Sequence, residues 1–254
     1  MIKRESVADV ALVVVSCDRY SDLWVPFFSL HRKYWPDNPY KTYLIANERD
    51  VDFPGVENIK VGPDISYGDN LLKALAIIPE RWVILWLDDL FLYDRVDSYA
   101  VEGIVNEFRK FGCGYLKMSS DMPYSFSTGG VIGPLPKGIR YRTAIGIGLY
   151  ERTTLAKLIS PGASAWDIDK SRNSDLLPDP IYSLTPSGSK RPPFRYKNVL
   201  IRGKVSYRAW LFLRREKLEG IRERRGFESI KSFLYGVAYA LMIKGYETLR
   251  VYWR

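Results

Sequence analysis

The stretch from Glu80 to Tyr93, Glu-Arg-Trp-Val-Ile-Leu-Trp-Leu-Asp-Asp-Leu-Phe-Leu-Tyr, most constrains what this chain can fold into. Val83 to Leu87 is an unbroken apolar run rich in β-branched and aromatic residues, the pattern of a strand buried on both faces of a parallel sheet. It is expected at the centre of the fold. The run stops at Asp88 and Asp89, at the carboxyl end of the strand, where open α/β sheets place their ligands. Adjacent carboxylates repel unless something compensates them. Two readings stay open. A hard divalent ion, Mg²⁺ or Mn²⁺, holds the pair against substrate phosphates, or the pair caps the following turn or meets an Arg.

Around that strand the chain alternates strands and helices. Val10 to Ser16 predicts a strand ending in Ser16-Cys17-Asp18-Arg19, and Trp24 to Tyr34 a helix. Lys41 to Ala46 is the next strand, followed by a turn-rich link containing Pro54, Gly55, Gly62 and Pro63. After Tyr67-Gly68-Asp69-Asn70, Leu71 to Ile78 reads as a helix stopped by Pro79. A helix from about Val96 to Phe111 and a strand from Tyr115 to Met118 follow. The repeated β-α-β punctuation predicts a mostly parallel sheet with helices on both faces.

Beyond Ser119 the pattern loosens. Asp121 to Arg142 has the composition of a long functional loop or short β-ribbon near a site. Thr143 to Tyr150 reads as a strand whose glycines imply a close backbone approach, and Thr153 to Ile159 as a short helix. Asp175 to Pro193 is Pro- and Ser-rich and is expected to be mobile. Asn198 to Ile201 is read as one more strand, and the tail from about Val205 as helical. The chain thus divides into residues 1–204 and a basic amphipathic extension, 205–254.

With 254 residues, 46% hydrophobic and 26% charged, the chain is long enough to bury a substantial core. Cys17 and Cys113 have no zinc-type spacing and are expected to be reduced, packed thiols of a cytoplasmic protein. The single histidine, His31, excludes a His-rich zinc site and reads as a structural residue, at the surface or half-buried. No stretch reaches the roughly eighteen apolar residues that span a bilayer. From Ser187 onward seventeen basic residues stand against five acidic ones, a net +12, whereas the preceding part carries −3. Such a block seeks phosphates.

The order of these parts resembles the GT-A class of nucleotide-sugar glycosyltransferases, especially bacterial surface-polysaccharide enzymes. The residues that carry the resemblance are Val13 to Arg19, Gly68 to Leu75, Val83 to Asp89, Ile145 to Arg152 and Ala165-Trp166-Asp167-Ile168-Asp169. It implies transfer of a sugar from a nucleoside-diphosphate donor to a hydroxyl of a glycan or lipid-linked acceptor, with inversion. Ser16, Asp18, Arg19, Asp69, Asn70 and Asp88 would meet the donor, and Asp88 and Asp89 the metal. The second acidic motif would supply the base, Asp167 or else Asp169, with Trp166 as a face for an acceptor sugar. Asp167 as a helix cap, with Trp166 in the core, is the plainer alternative. The family's acidic motif is usually Asp-x-Asp, and Leu90 stands in the third place. Either Asp89 holds the Mn²⁺ or Mg²⁺, or an Arg or Lys stabilises the departing diphosphate instead.

Two other classes compete. A sugar-phosphate nucleotidyltransferase would carry a Gly-rich, Arg- and Lys-containing loop after the first strand, which Ser16 to Asp22 lacks. A nucleic-acid-binding protein would suit the basic tail, but no binding motif appears and the charge avoids the sheet's ligand edge. No nucleic-acid partner is therefore expected. The tail, where apolar and basic residues interleave, is expected to lie on an anionic membrane surface, placing the protein at the inner face of the cell membrane; the alternative is that its apolar residues pack against the sheet domain or a second subunit and leave the Arg and Lys solvated.

Overall fold

The computed structural model describes residues 8–111, 114–119, 130–139, 141–178, 180–238 and 241. The chain divides into two compact units, Met1–Tyr196 and Lys197–Arg254.

The first unit is an eight-stranded sheet in the order β3-β2-β1-β4-β8-β6-β9-β7. Its elements are β1 (Val10–Val15), α1 (Ser21–Tyr34), β2 (Lys41–Ala46), β3 (Val56–Lys60), α2 (Tyr67–Ile77), β4 (Trp82–Leu87), β5 (Leu90–Leu92), α3 (Ser98–Lys110), β6 (Tyr115–Lys117), β7 (Ile132–Leu135), β8 (Gly148–Glu151), α4 (Arg152–Leu158), α5 (Ala165–Lys170), α6 (Asn173–Leu176), β9 (Ile181–Leu184) and α7 (Pro186–Lys190). β1, β2, β3 and β4 pair in parallel, as do β6 and β9. β8 runs antiparallel between β4 and β6, and β7 antiparallel to β9. The sheet is therefore mostly parallel, with the apolar run before Asp88 at its centre.

Alternation along β1 divides the core. Ala11, Val13 and Val15 join Leu71, Ala74 and Leu75 of α2 and Leu155 and Leu158 of α4. The opposite face is aromatic: Phe27 of α1 packs on Phe91 at 5.9 Å, Trp86 of β4 on Phe194 at 4.8 Å, and Trp82 on Phe108 of α3 at 5.8 Å. Helices thus cover both faces, and every residue of β1 is buried.

Several segments differ from expectation. β3 lies within the stretch that reads as a turn-rich link, because Val-Glu-Asn-Ile-Lys forms a polar edge strand whose only buried residue is Ile59. β7 forms inside the expected loop, and β9 inside the segment expected to be mobile, where Ile181, Ser183 and Leu184 are buried. The strand expected over Thr143 to Tyr150 begins only at Gly148. At Ala144 and Ile145 the backbone bonds to side chains instead: Ala144 C=O accepts from the Tyr115 hydroxyl at 2.7 Å and Ile145 N–H donates to Asp169 at 3.0 Å. A Cβ on Gly148 would come within 2.8 Å of the Leu116 carbonyl, the close approach that the glycines implied. Cys17 is a half-buried free thiol whose pKa is raised, chiefly by burial. Cys113 lies outside the described residues, as do 121–129 and 140 of the expected loop.

The second unit opens within β10 (Tyr196–Asn198) and continues through β11 (Leu200–Ile201), β12 (Lys204–Val205), a 3₁₀ turn at Tyr207–Ala209, α8 (Trp210–Arg215), α9 (Gly220–Arg225) and a helix over 230–238. β11 and β12 form an antiparallel pair.

His31 is buried outright. Its ring stacks on Phe27 at 4.3 Å and meets Trp86 edge-on at 4.8 Å, and among the described residues Nε2 has no hydrogen-bond partner. Burial lowers its pKa from 6.5 to about 3. The unfolded chain binds this proton near pH 6.5 and the folded chain does not, so stability falls as pH drops below about 6.5. Urea unfolding at stepped pH should show this acid loss in the wild type and a smaller one in His31→Phe.

Candidate active site

Parallel pairing of β1 and β4 sets Val15 opposite Leu87, so Ser16 and Asp88 leave the sheet side by side. The Ser16 hydroxyl donates to Asp88 Oδ2 and accepts from the Trp24 indole N–H at 2.6 Å. Asp88 is buried and Asp89 half-buried. A hydrogen-bond network thus compensates the inner carboxylate, and the outer one stands at its rim.

The first turn of α2 is fixed next to them. Ser66 caps the helix by accepting from Asp69 N–H at 3.0 Å. Gly68 N–H donates to Ala163 C=O at 2.9 Å, and Asp69 Oδ2 accepts from Gly162 N–H at 2.9 Å. A Cβ on Gly68 would come within 2.5 Å of the Ser160 carbonyl, so only glycine lets the turn and the 160–163 loop approach this closely. The turn carries two buried polar atoms with no hydrogen-bond partner among the described residues, the Tyr67 hydroxyl and Asn70 Oδ1. Burial first, then the charge of Asp169, neighbouring Tyr150, and the charges of Asp88 and Asp89 push the Tyr67 phenol well above its usual pKa. Tyr67 therefore lies within electrostatic reach of both acidic motifs.

The second motif acts on Tyr67 through Asp169. Its Oδ1 accepts from Ile145 N–H at 3.0 Å, and burial raises its pKa against the opposing pull of that bond, Lys117 and Lys170. Lys117, at the end of β6, is buried and donates from Nζ to Tyr141 C=O at 2.9 Å. Tyr141 holds the left-handed backbone, φ 60°.

The other expected residues divide. Asp167 sits in a capping box: its Oδ2 accepts from Ser164 N–H at 3.0 Å and from Ser164 Oγ at 2.6 Å. It is exposed, and the bonds from Ser164 lower its pKa. The structure thus shows Asp167 in the helix cap and Asp169 bonded to Ile145 and shielded near Lys117. Trp166 is 62% exposed rather than in the core. Asp69 is occupied in tying α2 to the Gly162 loop. Asp18 accepts from the backbone N–H groups of Asn47, Glu48 and Arg49, holding the loop after β2. Arg19 pairs with Asp64 at 3.4 Å, and Asp64 also accepts from Asn70 Nδ2 at 2.8 Å.

Sequence reasoning passed over Tyr67 and Lys117. A lysine inside the apolar run Tyr-Leu-Lys-Met was the signal for Lys117; Tyr67 is set apart only by burial. Among the described residues no group of three or more His, Cys, Asp and Glu could hold a metal ion. Asp88 and Asp89 therefore fit a divalent ion of the Mg²⁺ or Mn²⁺ type only together with ligand oxygens, the manner in which Mg²⁺ is usually held.

Compared with solved structures, the chain is similar to S. aureus TarS 1-349 in complex with UDP, with a TM-score of 0.50 and 10% identity over 70% of this chain and 58% of that one. The fold is GT-A-like. This chain spans 58% of the length of that TarS chain, and at such identity the likeness shows the fold alone. A cytidylyltransferase from Leptospira borgpetersenii has a TM-score of 0.48 at 12% identity, covering 75% of this chain and 82% of that one. A UDP-glucose pyrophosphorylase complexed with UDP-glucose has 0.47 at 7%, covering 75% and 92%. No family model and no curated protein matches the chain.

The raised pKa of Asp169 yields a stability test. Its folded form holds a proton to higher pH than the unfolded chain does, so its contribution is present below the ordinary carboxylate range and lost as pH rises through the raised value. Asn cannot titrate but still accepts the Ile145 bond. The melting temperature of wild type minus that of Asp169→Asn should increase as pH falls from neutral into the carboxylate range.

Proposed function

We propose that this chain is a glycosyltransferase that moves a sugar from a nucleoside-diphosphate sugar to a hydroxyl of a glycan or lipid-linked acceptor in surface-polysaccharide synthesis, with inversion. One observation carries the reading: the carboxyl edge of a GT-A-like sheet gathers Asp88, Asp89, the Tyr67 hydroxyl, Lys117 and a shielded carboxylate, Asp169. The S. aureus TarS structure of this fold contains UDP, which makes a uridine nucleotide the first donor to test.

The chemistry assigns the roles. Breaking the sugar–phosphate C–O bond develops negative charge on the departing diphosphate and requires proton removal from the incoming hydroxyl. Asp169 is the base in this reading. Its Oδ1 is positioned by Ile145 N–H, and shielding lifts its basicity towards the working pH. Lys117 supplies positive charge at the same edge. Asp88 and Asp89 would hold a divalent ion, which supplies further positive charge to the diphosphate when bound. Ser16, Arg19 and Asn70 stand on the donor side. With a lipid-linked acceptor, the enzyme works at the inner face of the cell membrane.

Nucleotide affinity and turnover separate these roles. Asp169→Asn should keep donor affinity, read by calorimetry with UDP and UDP-sugars with and without Mn²⁺, while turnover falls by about a hundredfold or more. Asp89→Asn should weaken nucleotide binding in Mn²⁺ more than in chelator. Pyrophosphate release from a nucleoside triphosphate and a sugar 1-phosphate, with no transfer from a nucleotide sugar, would replace this reading with nucleotidyl transfer.

Tyr67→Phe tests the unpartnered hydroxyl. Deleting a buried hydroxyl that has no partner leaves stability unchanged or slightly higher. If that hydroxyl meets the ligand, kcat/KM should drop by about tenfold, the loss of one hydrogen bond worth about 1.4 kcal/mol. Unchanged kcat/KM in a stably folded variant would make Tyr67 a packing residue.

A further inference from the structure

From Lys197 to Arg254 the second unit carries fourteen basic residues against five acidic ones, the whole of the chain's net charge of +9. Four of its aromatic residues, half-buried or exposed, cluster together. Tyr207 stacks on Phe227 at 4.7 Å, Trp210 meets Phe227 edge-on at 5.2 Å, and Phe233 meets Tyr207 at 5.6 Å. Phe233, half-buried, thus ties one side of the 230–238 helix to Tyr207, and the Ser232 hydroxyl donating to Glu228 at 3.0 Å holds its start.

The outward side is apolar as well. Ile230 and Leu234 are 68% and 58% exposed, four residues apart on one face of the 230–238 helix, with Tyr235 beside them at 70%. Single exposed apolar residues are ordinary, but a row at helical spacing is a surface. Leu211 of α8 is exposed too, and Arg214 and Arg215 follow it by three and four residues. Lys231 is exposed next to Ile230. Glu216, the acidic residue nearest these arginines in sequence, is paired with Arg215 at 3.1 Å and almost fully buried.

We propose that this face docks on an anionic phospholipid surface, with Ile230, Leu234 and Tyr235 entering the headgroup boundary and Lys231 and the α8 arginines meeting lipid phosphates. An interfacial helix needs both elements. Charge selects the occupant, because a second copy would bring one basic unit against another, whereas anionic lipid complements it. No helix among the described residues is long and apolar enough to cross a membrane, so the face lies along the surface. Vesicle binding is read without turnover, so it stands or falls apart from the transferase assignment.

The test is co-sedimentation of the full chain with vesicles of phosphatidylcholine and phosphatidylglycerol, against phosphatidylcholine alone. The wild type should bind the anionic vesicles in low salt and leave them in high salt. Ile230→Glu combined with Leu234→Glu should lower that binding by about tenfold or more, without moving the melting temperature, because both residues are exposed. Lys231→Glu keeps the apolar row and should weaken anionic binding alone, which covers the case in which the double variant misfolds. Wild type that ignores anionic vesicles, or folded variants that bind as well as wild type, would overturn the proposal. So would concentration-dependent dimerisation, measured by light scattering, that the double variant abolishes while vesicle binding persists.

Discussion

The pairing of β1 with β4 is the constraint on which the rest of the first unit depends. Both strands are almost wholly apolar and buried, and their parallel register runs unbroken from Val10 opposite Trp82 to Val15 opposite Leu87. A slip of one residue would exchange the faces that meet α2 and the aromatic layer, so the register is strongly specified. Because the register is fixed, Ser16 and Asp88 emerge together and a carboxylate can be buried where the strand ends. A buried carboxylate without such a partner would be costly.

A second fixed contact closes the site from the other motif. Gly68 and Asp69 bind the loop that leads into α5, so the second acidic motif comes to the same edge as the first. The environments of its two aspartates then diverge within one short helix. Asp167 accepts the cap bonds in open water and holds its proton less tightly than usual, whereas Asp169 is shielded and holds its own more tightly. The opposite shifts follow from burial and capping alone, two residues apart on one short helix.

Much of this was legible in the sequence because it rests on long apolar runs and their ends. The strand ending in Asp88-Asp89, the helix after Tyr67 and the mostly parallel sheet all follow from such patterns. Edge and late strands were not legible: β3 is largely polar, and β7 and β9 are four residues each in Pro- and Ser-rich surroundings. Asp167 and Asp169 could not be ranked from sequence, since cap geometry and burial decide between them. Tyr67 looked like one more core aromatic, and only its buried, unpartnered hydroxyl distinguishes it. The role of Phe233 likewise depends on which side of its helix meets Tyr207.

The Trp24–Ser16–Asp88 chain gives the molecule an optical property. An indole N–H bonded to a hydroxyl that is itself bonded to a carboxylate senses that carboxylate's charge through two short bonds. Whatever alters the charge at Asp88, whether a cation arriving or a phosphate drawing near, also alters the polarity around the Trp24 ring and therefore its emission. The carboxyl edge of the sheet thus contains its own fluorophore, separable from the six other tryptophans by a single Trp24→Phe exchange.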